Sequence, residues 1–161
     1  MNKAIRAGRT LGMVLVGAWC LCLSGCEGDY SIPITAGPTR QIDQRLLGNW
    51  LSQDGKEQMK VRKFDDATFV VSYEGEFYRA YHSDLGSTAF LSAQDIDSPT
   101  RKYVYLAYKL SEDGRHLNLR AVDENVIPKE TKDSVSVQIL LKKNLQGPKL
   151  FGDEAQYVRQ K

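Results

Sequence analysis

The residues able to do chemistry are few in this chain, and they are thinly spread. The histidines are His82 and His116, and all three cysteines, Cys20, Cys22 and Cys26, lie in the first 26 residues. His82 and Asp84 stand two apart, so on a strand they would share a face. A metal site needs three or four converging ligands, and these two read instead as a solvated strand end. Asp95 and Asp97 form a second pair, of the kind used for general acid–base work or in calcium loops. Ser98-Pro99-Thr100-Arg101 follows directly, so this pair reads as a polar hairpin end. Asp65-Asp66 and Asp123-Glu124-Asn125 read as turns in the same way. No Gly-x-Ser-x-Gly elbow is present to raise a nucleophilic serine. The expectation is therefore a non-enzymatic chain with no catalytic, cofactor or metal site. The tyrosines offer more. Tyr73, Tyr78, Tyr81, Tyr103, Tyr105 and Tyr108 fall in predicted strands beside Trp50 and Phe77. If Val104, Leu106 and Tyr108 face a core, Tyr103 and Tyr105 face outward beside Lys109, and this aromatic pair is a candidate partner surface.

Cys26 has chemistry of another kind. Lys3, Arg6 and Arg9 precede an apolar run of 13 residues, Leu11 to Leu23. That run suits the core of a secretory signal and is too short for a spanning helix, which needs about 20 residues. Leu23-Ser24-Gly25-Cys26 follows at once. The whole segment resembles the lipobox signal of bacterial lipoproteins. The resemblance implies cleavage before Cys26 and acylation of its thiol, often with acylation of the new amine as well. One cysteine carrying two or three chains is enough for stable attachment, since each buried methylene contributes about 0.8 kcal/mol. Glu27 rather than Asp follows the cysteine. In the Gram-negative lipoproteins this resembles, that implies an outer-membrane address facing the periplasm.

Removal of residues 1–25 changes the composition. Three of the 22 basic residues lie there and none of the 20 acidic ones, so the mature side chains sum to −1. No basic cluster interleaved with aromatics remains, which argues against a nucleic-acid partner. The mature chain also keeps no thiol besides Cys26, which excludes a disulfide scaffold, a thiolate metal site and a cysteine nucleophile.

The elements that must position these residues divide the chain into a signal peptide (1–25), an acylated tether (26–40) and one β-rich domain (41–161). Gly28, Pro33, Gly37 and Pro38 punctuate the tether. Its 14 residues after Cys26 reach roughly 46 Å when extended at ~3.3 Å each; the alternative is that Ile32 and Ile34 dock as an edge strand. From Ile42 a short helical turn leads to a first strand at Gly48. Strands are then predicted over 58–63, 68–73, 76–82, 88–94, 103–110 and 116–122. Asp54-Gly55, Glu74-Gly75, Gly86, Pro99 and Asp113-Gly114 separate them. Residues 133–145 fit a helix capped by Asp133 or Ser134, though Val135, Val137, Ile139 and Leu141 also alternate as in a strand. A short last strand is expected over 157–160.

The fold class expected is mainly β: a small antiparallel meander barrel or curved sheet of seven to eight strands with one C-terminal helix. Its core should draw on Trp50, Val61, Phe69, Val71, Phe77, Leu91, Val104, Leu106, Leu117, Leu119, Leu141 and Leu145. The helical entry, the Gly48-Asn49-Trp50 triplet, the hairpin meander and the late helix resemble the lipocalin-like barrels. Two functions follow as expectations. The first is an envelope lipoprotein that binds a protein, glycan or lipid partner near the membrane. The second is a lipocalin-type carrier of a small apolar ligand. An envelope hydrolase using Asp95, Asp97 or His82 ranks behind both. A hollow barrel interior separates the carrier from the module.

Overall fold

The computed structural model describes residues 30–161. The expectations for the signal segment, Cys26 and residues 26–29 lie outside the described residues. Eight antiparallel strands form a closed meander barrel: β1 (Gly48–Ser52), β2 (Gln58–Lys63), β3 (Thr68–Tyr73), β4 (Glu76–His82), β5 (Phe90–Asp95), β6 (Tyr103–Leu110), β7 (His116–Val122) and β8 (Phe151–Arg159). One helix, α1 (Ser134–Asn144), lies between β7 and β8. The expected meander barrel with one C-terminal helix is the observed fold. β8 closes it by pairing with β7 on one side and β1 on the other, Trp50 opposite Arg159.

Local chemistry sets the turns. Ser52-Gln53-Asp54-Gly55 and Ser111-Glu112-Asp113-Gly114 are the same device at opposite ends of the barrel. In each, the serine hydroxyl donates to the aspartate and accepts the backbone N–H groups four and five residues on. These bonds hold the Asp54 and Asp113 carboxyls below their usual range. The β3–β4 turn places Glu74 and Gly75 both at positive φ, 48° and 92°, the two-residue geometry that continues the right-handed twist of a hairpin.

Alternation along each strand separates two cores. Inside the barrel, Trp50, Met59, Val61, Phe69, Tyr78, Leu91 and Leu117 pack with the partly buried Val71, Val104, Leu106 and Leu119. Outside it, α1 lays Val137 and Leu141 over Phe90, Tyr105, Ala107 and Val122, joined by Tyr30 and Ile34. Asp133 caps α1, accepting from the Ser136 N–H at 2.8 Å, and Lys142 and Lys143 suit the negative end of its dipole.

Four expectations are corrected. Residues 30–40 are no free tether: Ile34 is fully buried, and the segment runs as a strap along the barrel wall. Tyr103 and Tyr105 do point outward, but they are not an exposed pair. Tyr105 is 1% exposed because Tyr30 stacks on it at 4.1 Å, and the strap and α1 cover it. Phe77 is on the outer face and 45% exposed, not in the core. The last strand is not four residues but nine. Its inward positions carry Asp153, Ala155, Tyr157 and Arg159, so no apolar alternation betrays it.

Candidate functional site

The barrel is hollow. A cavity of about 170 Å³ runs up its axis. Its walls are apolar apart from Asp153 and the hydroxyls of Tyr73, Tyr78, Tyr108 and Tyr157. The space exists because β4, β5, β7 and β8 turn alanines inward, Ala80, Ala93, Ala121 and Ala155, where a branched residue would fill the bore.

One end is sealed. A 3-10 turn, Gln44–Leu46, sets Leu46 across it, and the Trp50 Nε1–H donates to the Leu46 carbonyl at 3.0 Å. The Arg159 guanidinium lies 4.4 Å over the Trp50 ring. It donates to the carbonyls of Gly114, Leu47 and Arg45. Gly48 stands at φ 150°, and a Cβ there would sit 2.5 Å from Arg159 Nη1. The glycine of the Gly-x-Trp triplet is thus what lets the arginine close over the tryptophan.

His82 belongs to this seal. It is completely buried, not a solvated strand end. Its ring lies 5.4 Å from that of Phe69 and 5.8 Å from that of Tyr108. Nε2 accepts the Asp43 N–H at 3.2 Å, which puts the neutral ring's proton on Nδ1, where no group among the described residues receives it. Burial first, and the nearby Arg40 second, push its pKa down to about 4. Arg40 pairs with Asp84 at 2.5 Å and donates to the Tyr108 hydroxyl at 2.7 Å. Asp84 is therefore engaged by Arg40 and does not join His82 as a ligand pair.

The other end is open. Inward residues there, among them Val71, Tyr73, Val104, Leu119 and Ala121, are only partly buried, while Leu46, Phe69, His82 and Leu117 at the sealed end are buried. Carboxyl groups ring this mouth. Glu57 Oε2 accepts from the hydroxyls of Tyr73 (2.8 Å) and Tyr157 (3.0 Å). Glu76 accepts from Tyr78 at 2.5 Å, and Asp153 lines the opening. Burial, then Tyr73 and Glu57, raise the Tyr157 phenol well above its ordinary value, so it stays a hydrogen-bond donor.

The structure does not assemble the sequence's candidate acid–base groups. Asp95 accepts from the N–H groups of Asp97 and Ser98, and Asp97 accepts from the Phe77 N–H. Both brace a turn at the mouth end, while His82 is in the seal at the other. Among the described residues no group of three or more His, Cys, Asp or Glu side chains is placed to hold a metal, and no helix is long and apolar enough to cross a membrane. The mouth itself had no signal in the sequence, because Glu57, Glu76 and Asp153 lie on separate elements that only the barrel topology brings to one end. Searches of family models, curated proteins and solved structures gave no match to this chain.

Proposed function

We propose that this protein is a non-enzymatic binding module of the cell envelope, attached through acylated Cys26, whose barrel takes a small or slender apolar ligand end first. One observation carries the reading: an apolar cavity sealed at one end and open at the other. At about 170 Å³ it compares with the roughly 150 Å³ apolar cavity that stays dry and binds benzene. It is smaller than the ~300–1,000 Å³ of sites that enclose a drug-sized molecule. The fitting occupant is a single hydrocarbon tail or small ring whose polar end stays in the mouth. Glu57, Glu76 and Asp153 would repel an anionic head there and favour a neutral or ammonium one.

The test is a titration read by Trp50, the sole tryptophan after residue 25. Decylamine and decanol are expected to bind at least tenfold more tightly than decanoate. The double variant Ala93→Leu/Ala155→Leu should lose this binding while keeping its fold. Failure of all three compounds to bind, or binding unchanged in the filled variant, would refute the proposal.

A further inference from the structure

We infer that the mouth of the barrel is held against the bilayer that carries the anchor, so that the cavity loads from that membrane. This rests on the lipidation proposed above and adds which end of the molecule meets the lipid.

The described part of the strap begins at Tyr30. Tyr30 is fixed by contacts with three other described residues. Its backbone pairs with that of Tyr103 in both directions (3.2 and 2.7 Å), its hydroxyl donates to the Asp123 carbonyl (2.9 Å), and its ring stacks on Tyr105. Tyr103 opens β6 and Asp123 follows β7, so both stand at the mouth end. Val104, next to Tyr103, and Ala121, two residues before Asp123, line the cavity. From Tyr30 the strap runs away from the mouth. The Ile34 N–H donates to Ser92, and the Thr39 N–H reaches the His82 carbonyl at the sealed end. The anchored end of the strap is therefore the mouth end.

Length then decides the orientation. Cys26 precedes Tyr30 by four residues, which span at most about 14 Å. Eight residues of β6, tilted as barrel strands are, cover about 20 Å along the axis. The tether is too short to carry the lipid past the sealed end. An apolar edge lies near the same exit. The Ser134 hydroxyl at the start of α1 donates to the Pro33 carbonyl at 2.8 Å. The next residues on the helix surface, Val135 (65% exposed) and Ile139 (61%), precede Lys142 and Lys143. Exposed aliphatic groups beside lysines are the composition that rests in a head-group layer.

The experiment uses the full lipidated chain in phosphatidylcholine vesicles containing a lipid with a spin label at the head group. The only mature cysteine is the acylated one, so a single thiol can be added at an exposed turn and labelled with bimane. Lys56→Cys lies in the β1–β2 turn at the mouth end, and Glu112→Cys in the β6–β7 turn at the sealed end. The inference expects quenching at 56 to exceed that at 112 at least threefold. Equal quenching, the reverse order, or a protein that does not float with the vesicles would overturn it. Neither label reports on ligand. Mouth-side quenching in a protein that binds no alkyl compound would keep the orientation and remove the carrier reading.

Discussion

At the scale of the residue, two positions decide how the sealed end behaves. His82 is neutral in the folded protein down to about pH 4. In the unfolded chain it takes up a proton near its ordinary pKa of about 6.5. Stability should therefore fall as pH falls through the interval between those values, by ~1.4 kcal/mol per pH unit and on the order of 3 kcal/mol in all. His82→Gln can still accept from Asp43 and should flatten that slope in urea unfolding followed from pH 7 to 4. A slope unchanged in the variant would show that another group is responsible. The turn aspartates, held low by their hydrogen bonds, lose their contribution only at lower pH, so the windows separate. Gly48 is the second case. Gly48→Ala would force a methyl against the Arg159 guanidinium at a φ that alanine avoids. We expect it to cost about 2 kcal/mol, seen as a lower urea midpoint with an unchanged m-value.

At the scale of the element, the strap and α1 are parts of the fold and not appendages. The Ser134 hydroxyl of α1 donates to the strap's Pro33 carbonyl, and a chain of buried hydroxyls ties the strap to the barrel. Ser92 accepts the Ile34 N–H at 3.0 Å, Ser83 bonds Ser92 at 2.8 Å, and the Thr35 hydroxyl donates to Ser83 at 2.7 Å. Ser92→Ala would leave the Ile34 N–H buried and unpaired, at a cost of about 1–3 kcal/mol. Hydrogen exchange at Ile34 should then speed up while β2 and β3 stay protected. Protection lost uniformly across the barrel would contradict a local role for this network. The same elements show what the sequence could reveal. β2, β3, β4, β6 and β7 were legible to the residue because turn dipeptides bound them and one face of each is apolar. α1 was legible from Asp133 and the spacing of Val137 and Leu141. The strap was legible only as the docking of Ile32 and Ile34, because its burial depends on a few residues and on partners 43 to 101 residues away, amid proline and glycine that mimic a linker. β8 was hidden by the very features that make the site, a charged residue at the mouth and an arginine in the seal.

At the scale of the whole molecule, closure of the barrel creates what no segment encodes. The sequence pointed to the inward faces, but the width of the bore depends on which alanines meet across it, and that is fixed by register. Buried Ala80 and Ala93 are neighbours across β4 and β5, and Ala155 pairs with Leu119 of β7. Filling this space should stabilise the protein while abolishing its proposed use. Ala93→Leu/Ala155→Leu is expected to raise the urea midpoint or leave it unchanged, since new methylenes enter a void and not a packed core. A fall of more than about 2 kcal/mol would mean that the walls cannot accept them.

The most direct measurement is native mass spectrometry of the protein released from its own membrane in a mild detergent. The account predicts an adduct of one apolar molecule per chain, lost on denaturation and absent from the filled double variant. Bare protein alone, or the same adduct on the filled variant, would contradict the claim that the barrel interior is the binding site.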